Sequence, residues 1–220
     1  MKNQIILTKN GFKRFYKFEN TEEFNQWERD AFSAWANQYN KKADEYKEKV
    51  IECFPFETKE LKDESYAVSC VEMYCGYHYA NINGFFRGES FALNNNTNSM
   101  ELMKYILGME KCFLTAPVTD KDLICYRSMS NEEIEFYKHN QMVNNYLSVS
   151  GVRDSLKSKG YNSKSIQTIL VPAGTKVLCP NMIRPVIMNG KSFERYESEL
   201  ILPRCMKIKR KFGKYILSNF

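Results

Sequence analysis

Three stretches in the first half of the chain repeat apolar residues at the three-to-four-residue spacing of a helix. The first opens with Asn20, a good N-cap residue, and with Glu23 three positions later, as in a capping box. Its apolar stripe is typical of a helix face buried in a core, and a partner-binding face is the alternative. The stripe consists of Phe24, Trp27, Ala31, Trp35 and Tyr39. The predicted helices span residues 21–53, 65–87 and 100–113.

The second half of the chain changes to short apolar runs bounded by Gly, Pro, Asn and Ser, a pattern that predicts strands. Helices first and strands later indicate an α+β domain rather than a βαβ repeat. We expect one domain over residues 1–220, mainly helical over 1–116 and mainly β over 117–220. There is no internal repeat and no G-x-G-x-x-G or P-loop motif. The predicted strands span residues 123–126, 146–149, 166–171, 177–178, 200–202 and 206–208.

The composition is that of a soluble globular protein. Hydrophobic residues make up 43% of the 220 residues, charged residues 26% and aromatic residues 14%, which excludes a disordered chain. The first 18 residues lack a secretory signal, and no apolar run approaches a membrane span. We therefore expect a cytosolic protein without membrane insertion, either in the producing cell or after translocation into a target cell.

Neither the cysteines nor the histidines are spaced as metal ligands. The seven cysteines form an odd set without a C-x-x-C pair, so we expect reduced thiols rather than a disulfide framework or a zinc site. His78 and His139 stand alone, and no metal is predicted. The acidic run Glu132, Glu133 and Glu135 is interpreted as a solvated helix face.

The net charge is +6, and one segment of the chain is locally rich in basic residues. Basic and acidic residues alternate along most of the chain, but residues 207–214 form a dense basic patch. Such a patch can bind nucleic-acid phosphates. The alternative, which we favour, is a charged strand that prevents pairing at the edge of a sheet.

Two carboxylates lie one residue apart near the C-terminus. Glu197 and Glu199 precede the apolar residues 200–202. In a regular strand both would lie on one face, with Leu200 and Leu202 on the opposite face toward the core. Two acids in one pocket suit a reaction in which positive charge develops on a sugar while a nucleophile loses its proton. An ordinary amphipathic strand with solvated Glu side chains is the alternative.

Three such elements follow one another in a fixed order. An apolar strand ends in Arg127, an S-x-S segment contains Ser148 and Ser150, and an E-x-E segment contains Glu197 and Glu199. Together they resemble the arginine, S-x-S, E-x-E signature of mono-ADP-ribosyltransferases. The resemblance is to the catalytic domain of the clostridial binary toxins and vegetative insecticidal proteins, and it covers roughly residues 20–212.

The resemblance implies a fold and a donor substrate. The implied fold is a set of N-terminal helices packed on a two-sheet β-sandwich core, and NAD is the implied ADP-ribose donor, without a metal. Tyr79 and Asn83 match a helix that borders the NAD cleft in this family. Asn145, three residues before Ser148, matches a residue that touches NAD, although Asn is also a common turn residue.

The resemblance also implies a role for each motif. Arg127 holds the diphosphate, a task for which the planar guanidinium is suited. Ser148 contacts the nicotinamide side and orients Glu199, which stabilises the oxocarbenium ion. Glu197 takes a proton from the acceptor, and Glu at this position marks the arginine-modifying members. Arginine is almost always protonated, so it needs such a base.

The substrate-presenting turn is expected just before the E-x-E segment, with Phe193 or Tyr196 as its exposed aromatic. This turn lacks the Gly-rich opening of the family, and Val149 replaces the usual Thr of the S-x-S segment. No Arg after Ser150 aligns with the one that reaches NAD in the toxins.

The leading hypothesis is a monomeric, arginine-specific protein mono-ADP-ribosyltransferase that acts as a toxin, a translocated effector or a phage protein. Its partners are NAD and a protein with an exposed arginine. The alternatives are an NAD glycohydrolase, a nucleic-acid-directed ADP-ribosyltransferase, and an inactive binding module that has kept the fold.

Overall fold

The fold consists of a long first helix, several shorter helices and a branched β-sheet. The computed structural model describes residues 2–8, 11–53, 70–71, 73–88, 99–182, 187–188, 191–192, 198–211 and 213–218. The helices are α1 (Thr21–Cys53), a π-helical turn (Tyr74–His78) that continues into α2 (Tyr79–Arg87), α3 (Ser99–Thr115), α4 (Asn131–His139), α5 (Arg153–Ser158) and a 3₁₀ turn (Pro180–Met182). The strands are β1 (Lys2–Thr8), β2 (Gly11–Lys17), β3 (Leu123–Ser128), β4 (Met142–Val143), β5 (Leu147–Ser150), β6 (Ile166–Val171), β7 (Ile187–Met188), β8 (Lys191–Ser192), β9 (Glu199–Leu202), β10 (Met206–Lys211) and β11 (Lys214–Ser218).

The predicted start of α1 is confirmed. The Asn20 side chain accepts a hydrogen bond from the Glu23 backbone N–H at 2.9 Å, which satisfies one of the unpaired donors of the first turn. The apolar stripe faces the core, as favoured from the sequence, with one difference. Ala31 is exposed and Phe32 is fully buried, because the true helical face runs through Phe32.

The other helix predictions agree with the described residues. The second predicted helix is helical from Cys70 to Arg87 wherever it is described, and residues 65–69 lie outside the described residues. Residues 100–113 lie within α3. Gly88, with φ +74°, ends α2 in the left-handed conformation that glycine adopts without strain.

The described strands form one branched nine-stranded sheet together with a separate β7–β8 pair. The main order is β1-β2-β3-β6-β11-β10-β4, and β5 branches from β3 and pairs with β9. The α+β class is therefore confirmed. The expected two-sheet sandwich is not confirmed, because the bridge between Tyr126 and Ser150 connects β3 to β5 and joins the two limbs.

Most predicted strands are present, and six of the described strands, namely β1, β2, β4, β7, β8 and β11, were not predicted. Residues 177–178 do not form a strand, since Leu178 makes only an isolated bridge to Ile201. The pattern of the first 18 residues did not predict the β1–β2 hairpin, whose strands mix apolar and basic residues. It also did not predict β11, which pairs in parallel with β6.

Two hydrophobic clusters hold the branch in place. The larger one packs Phe24, Trp27 and Phe32 of α1 against the strands on either side of the branch. The second packs Trp35 and the helices α2 and α3 against Tyr146, directly before β5. Both sides of the β5–β9 limb are therefore covered by the helical part, which fixes that limb relative to β3.

The basic patch forms β10 and the start of β11. Lys207 and Lys209 are exposed. On the side away from β11, Met206 and Lys207 pair with β4, and the Ile208 N–H donates to the carbonyl oxygen of Gln141 at 2.9 Å. Beyond Ile208, no pairing on this side is found for the described part of β10. This arrangement agrees with the interpretation that the lysines protect an edge.

Two further observations concern the described residues alone. None of their helices is long and apolar enough to cross a membrane. They also contain no group of three or more His, Cys, Asp or Glu side chains placed to hold a metal ion.

One carboxyl group of α1 is almost completely buried. Glu28 is 1% exposed, and its Oε2 accepts a long hydrogen bond of 3.5 Å from Asn181 Nδ2. Burial raises the pKa of this carboxyl from 4.5 to about 8, against smaller opposing effects of Asn181 and Arg29. Glu28 is therefore mostly protonated at pH 7 in the folded protein.

This raised pKa predicts a pH-dependent stability. The folded state binds the Glu28 proton more tightly than the unfolded chain, so this stabilisation is complete below pH 4.5 and is lost as the pH rises toward 8. Within that window the contribution falls by about 1 kcal/mol per pH unit. The variant Glu28→Gln, which cannot ionise, should lose this dependence in urea unfolding measured from pH 5 to pH 8. The exposed Glu22→Gln is the control, and parallel profiles for wild type and Glu28→Gln would refute the assignment.

Candidate active site

Arg127 connects three elements at the branch of the sheet. It lies near the end of β3, and its Nη1 donates to the carbonyl oxygen of Ser148 on β5 at 2.7 Å. Its Nε donates to Glu133 Oε1 on α4 at 2.9 Å. Both side chains of this ion pair are 21% exposed. Charge-assisted bonds of this kind fix the plane of the guanidinium while leaving part of it open to solvent.

Ser148 also contacts the strand that begins with Glu199. In the β5–β9 register Ser148 lies opposite Ile201 and Ser150 lies opposite Glu199, so Ser148 and Glu199 are diagonal neighbours on one face. The Ser148 hydroxyl donates to Glu199 Oε1 at 2.5 Å. The predicted contact between these two residues is therefore present, and it fixes the direction of the carboxylate.

The E-x-E segment is not the regular strand that the sequence pattern assumed. Ser198 has φ +49°, in the left-handed region, and β9 begins only at Glu199. The regular strand on which the period-two argument relied is therefore not present at Ser198. The placement of Glu197 relative to Glu199 stays a prediction, because Glu197 lies outside the described residues. Leu200 and Leu202 are fully buried, as predicted.

Three predicted site residues lie outside the described residues. They are Glu197, Phe193 and Tyr196. Their assignments stay predictions.

A cleft of about 380 Å³ opens between α2 and α4. Tyr79 and Asn83 both line it together with Arg127, and their contact with NAD stays a prediction. Tyr79 is 56% exposed, whereas Asn83 is buried. The other residues around the cleft are Ala80, Arg87, Arg127, Ser130, Glu132, Glu133, Phe136 and Tyr137.

A smaller hollow of about 70 Å³ lies on the other side of Arg127. It is lined by the S-x-S segment, by Glu199 and by the half-exposed Tyr161. Because Arg127 lines both spaces, its guanidinium lies at the boundary between them. The two spaces share Arg127, and we treat them as one site with a larger end beside α2 and a smaller, narrow end at Glu199.

Asn145 lines neither space. It is 1% exposed, and its Nδ2 donates to the carbonyl oxygen of Tyr146 at 2.7 Å. This bond to the next residue does not decide between a contact with NAD and a turn residue, so both interpretations stay open.

Two residues of the site were missed from the sequence. Glu133 was interpreted as part of a solvated face, but it pairs with Arg127. A usable signal was present, because Ser130 and Glu133 form an S-x-x-E pattern, and Ser130 Oγ accepts from the Glu133 N–H at 3.2 Å. That cap places Glu133 in the first turn of α4, next to the end of β3.

The second missed residue is Tyr74, which is buried beneath the cleft. Its phenol accepts from Asn83 Nδ2 at 2.9 Å and donates to the carbonyl oxygen of Tyr146 at 3.4 Å. Burial raises the pKa of Tyr74 above its usual value, so the hydroxyl keeps its proton and this donation persists. Tyr74 thereby links α2 to the segment that leads into β5.

The sequence model of the ADP-ribosyltransferase exoenzyme family matches residues 24–215. The chain belongs to the ADP-ribosyltransferase exoenzyme family. It is therefore an NAD-dependent ADP-ribosyltransferase, and NAD is its ADP-ribose donor. The family-level resemblance inferred from the three motifs is confirmed, whereas the narrower likeness to clostridial toxins stays a prediction.

Two solved structures have a similar chain course at low sequence identity. Exoenzyme S from Pseudomonas aeruginosa, in complex with human 14-3-3 protein beta and carba-NAD, has 12% identity and a TM-score of 0.47, over 90% of this chain and 86% of that chain. The ADP-ribosyltransferase Vis, in complex with the M6 inhibitor, has 15% identity and a TM-score of 0.43, over 90% and 84%. No curated protein matches the chain by sequence.

The Arg127–Glu133 pair gives a prediction for this ADP-ribosyltransferase. Glu133→Gln keeps the size of the side chain but weakens the bond that fixes the guanidinium, so KM for NAD should rise roughly tenfold, as expected for loss of a charge-assisted bond. Steady-state nicotinamide release measures this change.

Glu132→Gln is the matched control. This substitution also removes one negative charge from the cleft. Glu132 is exposed, and the carboxylate that pairs with Arg127 is that of Glu133. Equal KM values for Glu133→Gln and wild type would contradict a positioning role for Glu133.

Proposed function

We propose that the protein transfers ADP-ribose from NAD to an arginine side chain of a target protein. The observation that carries the proposal is the hydrogen bond from Ser148 to Glu199 in the narrow end of a site bordered by Arg127. An oriented carboxylate is what the cleavage of a glycosidic bond needs, because positive charge develops on the ribose as nicotinamide leaves.

The proposed placement of NAD follows the two ends of the site. Arg127, at their boundary, binds the diphosphate with the part of its guanidinium that Ser148 and Glu133 leave open. The adenosine half occupies the larger cleft beside Tyr79 and Asn83. Asn83 fits this role because its Oδ1 is buried without a hydrogen-bond partner among the described atoms and can accept from a polar group of the ligand.

Glu199 then lies beside the nicotinamide ribose. It holds a ribose hydroxyl, and its negative charge stabilises the oxocarbenium ion while the bond between ribose C1′ and the nicotinamide nitrogen breaks. The electron pair of that bond leaves with nicotinamide as a neutral molecule. The Ser148 hydroxyl keeps the carboxylate in a productive direction throughout.

The acceptor step is assigned to Glu197 on the basis of the E-x-E resemblance. An arginine nitrogen of the target forms the new bond to C1′ and gives its proton to the Glu197 carboxylate. Because a guanidinium is almost always protonated, a base at this place is a chemical requirement. Phe193 and Tyr196, in the segment before Glu197, are proposed to contact the target protein.

The protein is proposed to act as one catalytic domain over residues 1–220 and as a monomer in a cytosol, as a toxin, an effector or a phage protein. NAD hydrolysis is the second candidate function. It is favoured by the fact that Glu199 is positioned by Ser148 and β5, without any need for Glu197. An inactive binding module is disfavoured because Ser148 bonds both Arg127 and Glu199, which keeps the proposed diphosphate-binding and ribose-binding groups together.

Labelled NAD distinguishes these functions. Wild type, Glu197→Gln and Glu199→Gln are incubated with a cell lysate, or with agmatine as a small guanidine acceptor, while labelling and nicotinamide release are followed. Glu199→Gln should reduce both by about 100-fold or more, the usual effect of removing a group that stabilises transition-state charge. Glu197→Gln should reduce transfer and leave most of the nicotinamide release.

Glu132→Gln controls for a general loss of negative charge. Equal loss of transfer and release in Glu197→Gln would contradict its role as the acceptor base. If the wild type neither labels a protein nor releases nicotinamide under conditions in which a known transferase is active, the enzymatic function is rejected.

A further inference from the structure

The middle residue of the E-x-E segment is a buried serine with an unfavourable backbone conformation. Ser198 is 0% exposed and has φ +49°. A left-handed conformation costs a residue other than glycine roughly 1 kcal/mol, and it persists only where the surroundings hold it. The contacts of Ser198 therefore show what holds it in this conformation.

Two bonds from one neighbouring segment hold Ser198. The backbone N–H of Gly151, directly after β5, donates to the Ser198 carbonyl oxygen at 2.8 Å. The hydroxyl oxygens of Ser155, on α5, and Ser198 lie 3.2 Å apart in a buried hydrogen bond. Thr21 Oγ1, at the start of α1, lies 3.5 Å from Ser155 Oγ and extends the row of hydroxyls.

The segment that holds Ser198 is itself tightly packed. A Cβ atom added to Gly151 would lie 2.3 Å from the ring of Phe24, a fully buried residue of α1. Ser155 is 6% exposed. Ser198 is therefore bonded to a part of the protein that cannot shift without disturbing the core.

The bonds that hold Ser198 also influence the position of the Glu199 carboxylate. Ser198 immediately precedes Glu199, so its backbone conformation sets the direction in which the chain enters β9. Ser148 then fixes the carboxylate itself. A carboxylate that stabilises developing charge must be held within about half an ångström, and misplacement by about 1 Å can reduce a rate 100-fold.

We propose that Ser155 is a positioning residue for Glu199, acting through its hydrogen bond to Ser198. The inference rests on the proposed role of Glu199 in cleaving NAD. Ser155 touches neither of the two cavities of the site, so it affects the rate of bond cleavage rather than the binding of NAD.

Two hydroxyl deletions on the same short helix provide the first test. Ser155→Ala removes the bond to Ser198, whereas Ser158→Ala removes a hydroxyl that donates to the carbonyl oxygen of Ser155 rather than to Ser198. In nicotinamide release from NAD, Ser155→Ala should lower kcat about tenfold and change KM less than about twofold, the pattern for a group that acts only in the transition state. Ser158→Ala should retain the wild-type kcat.

A double-mutant cycle tests whether Ser155 acts through Ser198. Ser198→Gly removes the hydroxyl but adopts the left-handed conformation freely, whereas Ser198→Ala removes the hydroxyl and keeps the strain. Ser198→Gly should therefore retain a higher kcat than Ser198→Ala. Adding Ser155→Ala to Ser198→Gly should lower kcat little further, because the hydrogen bond between Ser155 and Ser198 is already absent. Thermal unfolding of each variant reports its fold, and the comparison of the two Ser198 variants stands even where Ser155→Ala does not fold.

The outcomes separate the two proposals. Equal kcat values for Ser155→Ala and Ser158→Ala, a loss confined to KM, or an undiminished effect of Ser155→Ala in the Ser198→Gly background would overturn the positioning role in an active enzyme. A wild type that releases no nicotinamide would instead overturn the proposed function, and the positioning role with it.

Discussion

Ser148 binds both charged groups on which the candidate site depends. Its carbonyl oxygen accepts from the Arg127 guanidinium, and its hydroxyl donates to the Glu199 carboxylate. One residue of β5 therefore fixes a cation for the diphosphate and an anion for the ribose. This is possible because β5 lies between β3 and β9, where the sheet branches. A flat sheet with β5 at any other position would separate the two charges.

Two hydrogen bonds to one carboxylate of α3, next to aromatic side chains, also support the branch of the sheet. Tyr146, directly before β5, donates to Glu110 Oε1 of α3 at 2.6 Å, and Arg204, two residues after β9, donates to the same oxygen at 2.7 Å. The Tyr146 ring also stacks on Phe113. The entry to β5 and the exit of β9 are thus joined to one helix, so the strands that carry Ser148 and Glu199 keep their register.

The order of motifs along the chain predicted Arg127, Ser148 and Glu199 as site residues, since each lies in or at the end of a short apolar strand. The structure brings all three to one hollow, and their roles in the reaction stay predictions. The apolar period was likewise enough to predict α1. The left-handed Ser198 could not be predicted, since local propensity disfavours that conformation for serine and only tertiary bonds from Gly151 and Ser155 impose it.

Other features were missed for a similar reason. In the β1–β2 hairpin, the exposed Lys13 and Arg14 interrupt the apolar residues of β2, and β1 has an apolar run of only three residues, although the Asn10-Gly11 dipeptide is a turn signal. The bond between Glu133 and Arg127 depends on how α4 starts after β3. An acidic helix face does not reveal, from sequence alone, which of its carboxylates turns toward the protein.

The measurement that tests the account most directly is a comparison of binding and cleavage in Ser148→Ala. Calorimetric titration with a non-hydrolysable NAD analogue reports binding, and nicotinamide release from NAD reports cleavage. If the Ser148 hydroxyl orients Glu199, the affinity should stay within about threefold of wild type while kcat falls about 100-fold, as for loss of a group that acts on transition-state charge. Release at the wild-type rate would contradict the account, because Glu199 would then need no partner on β5.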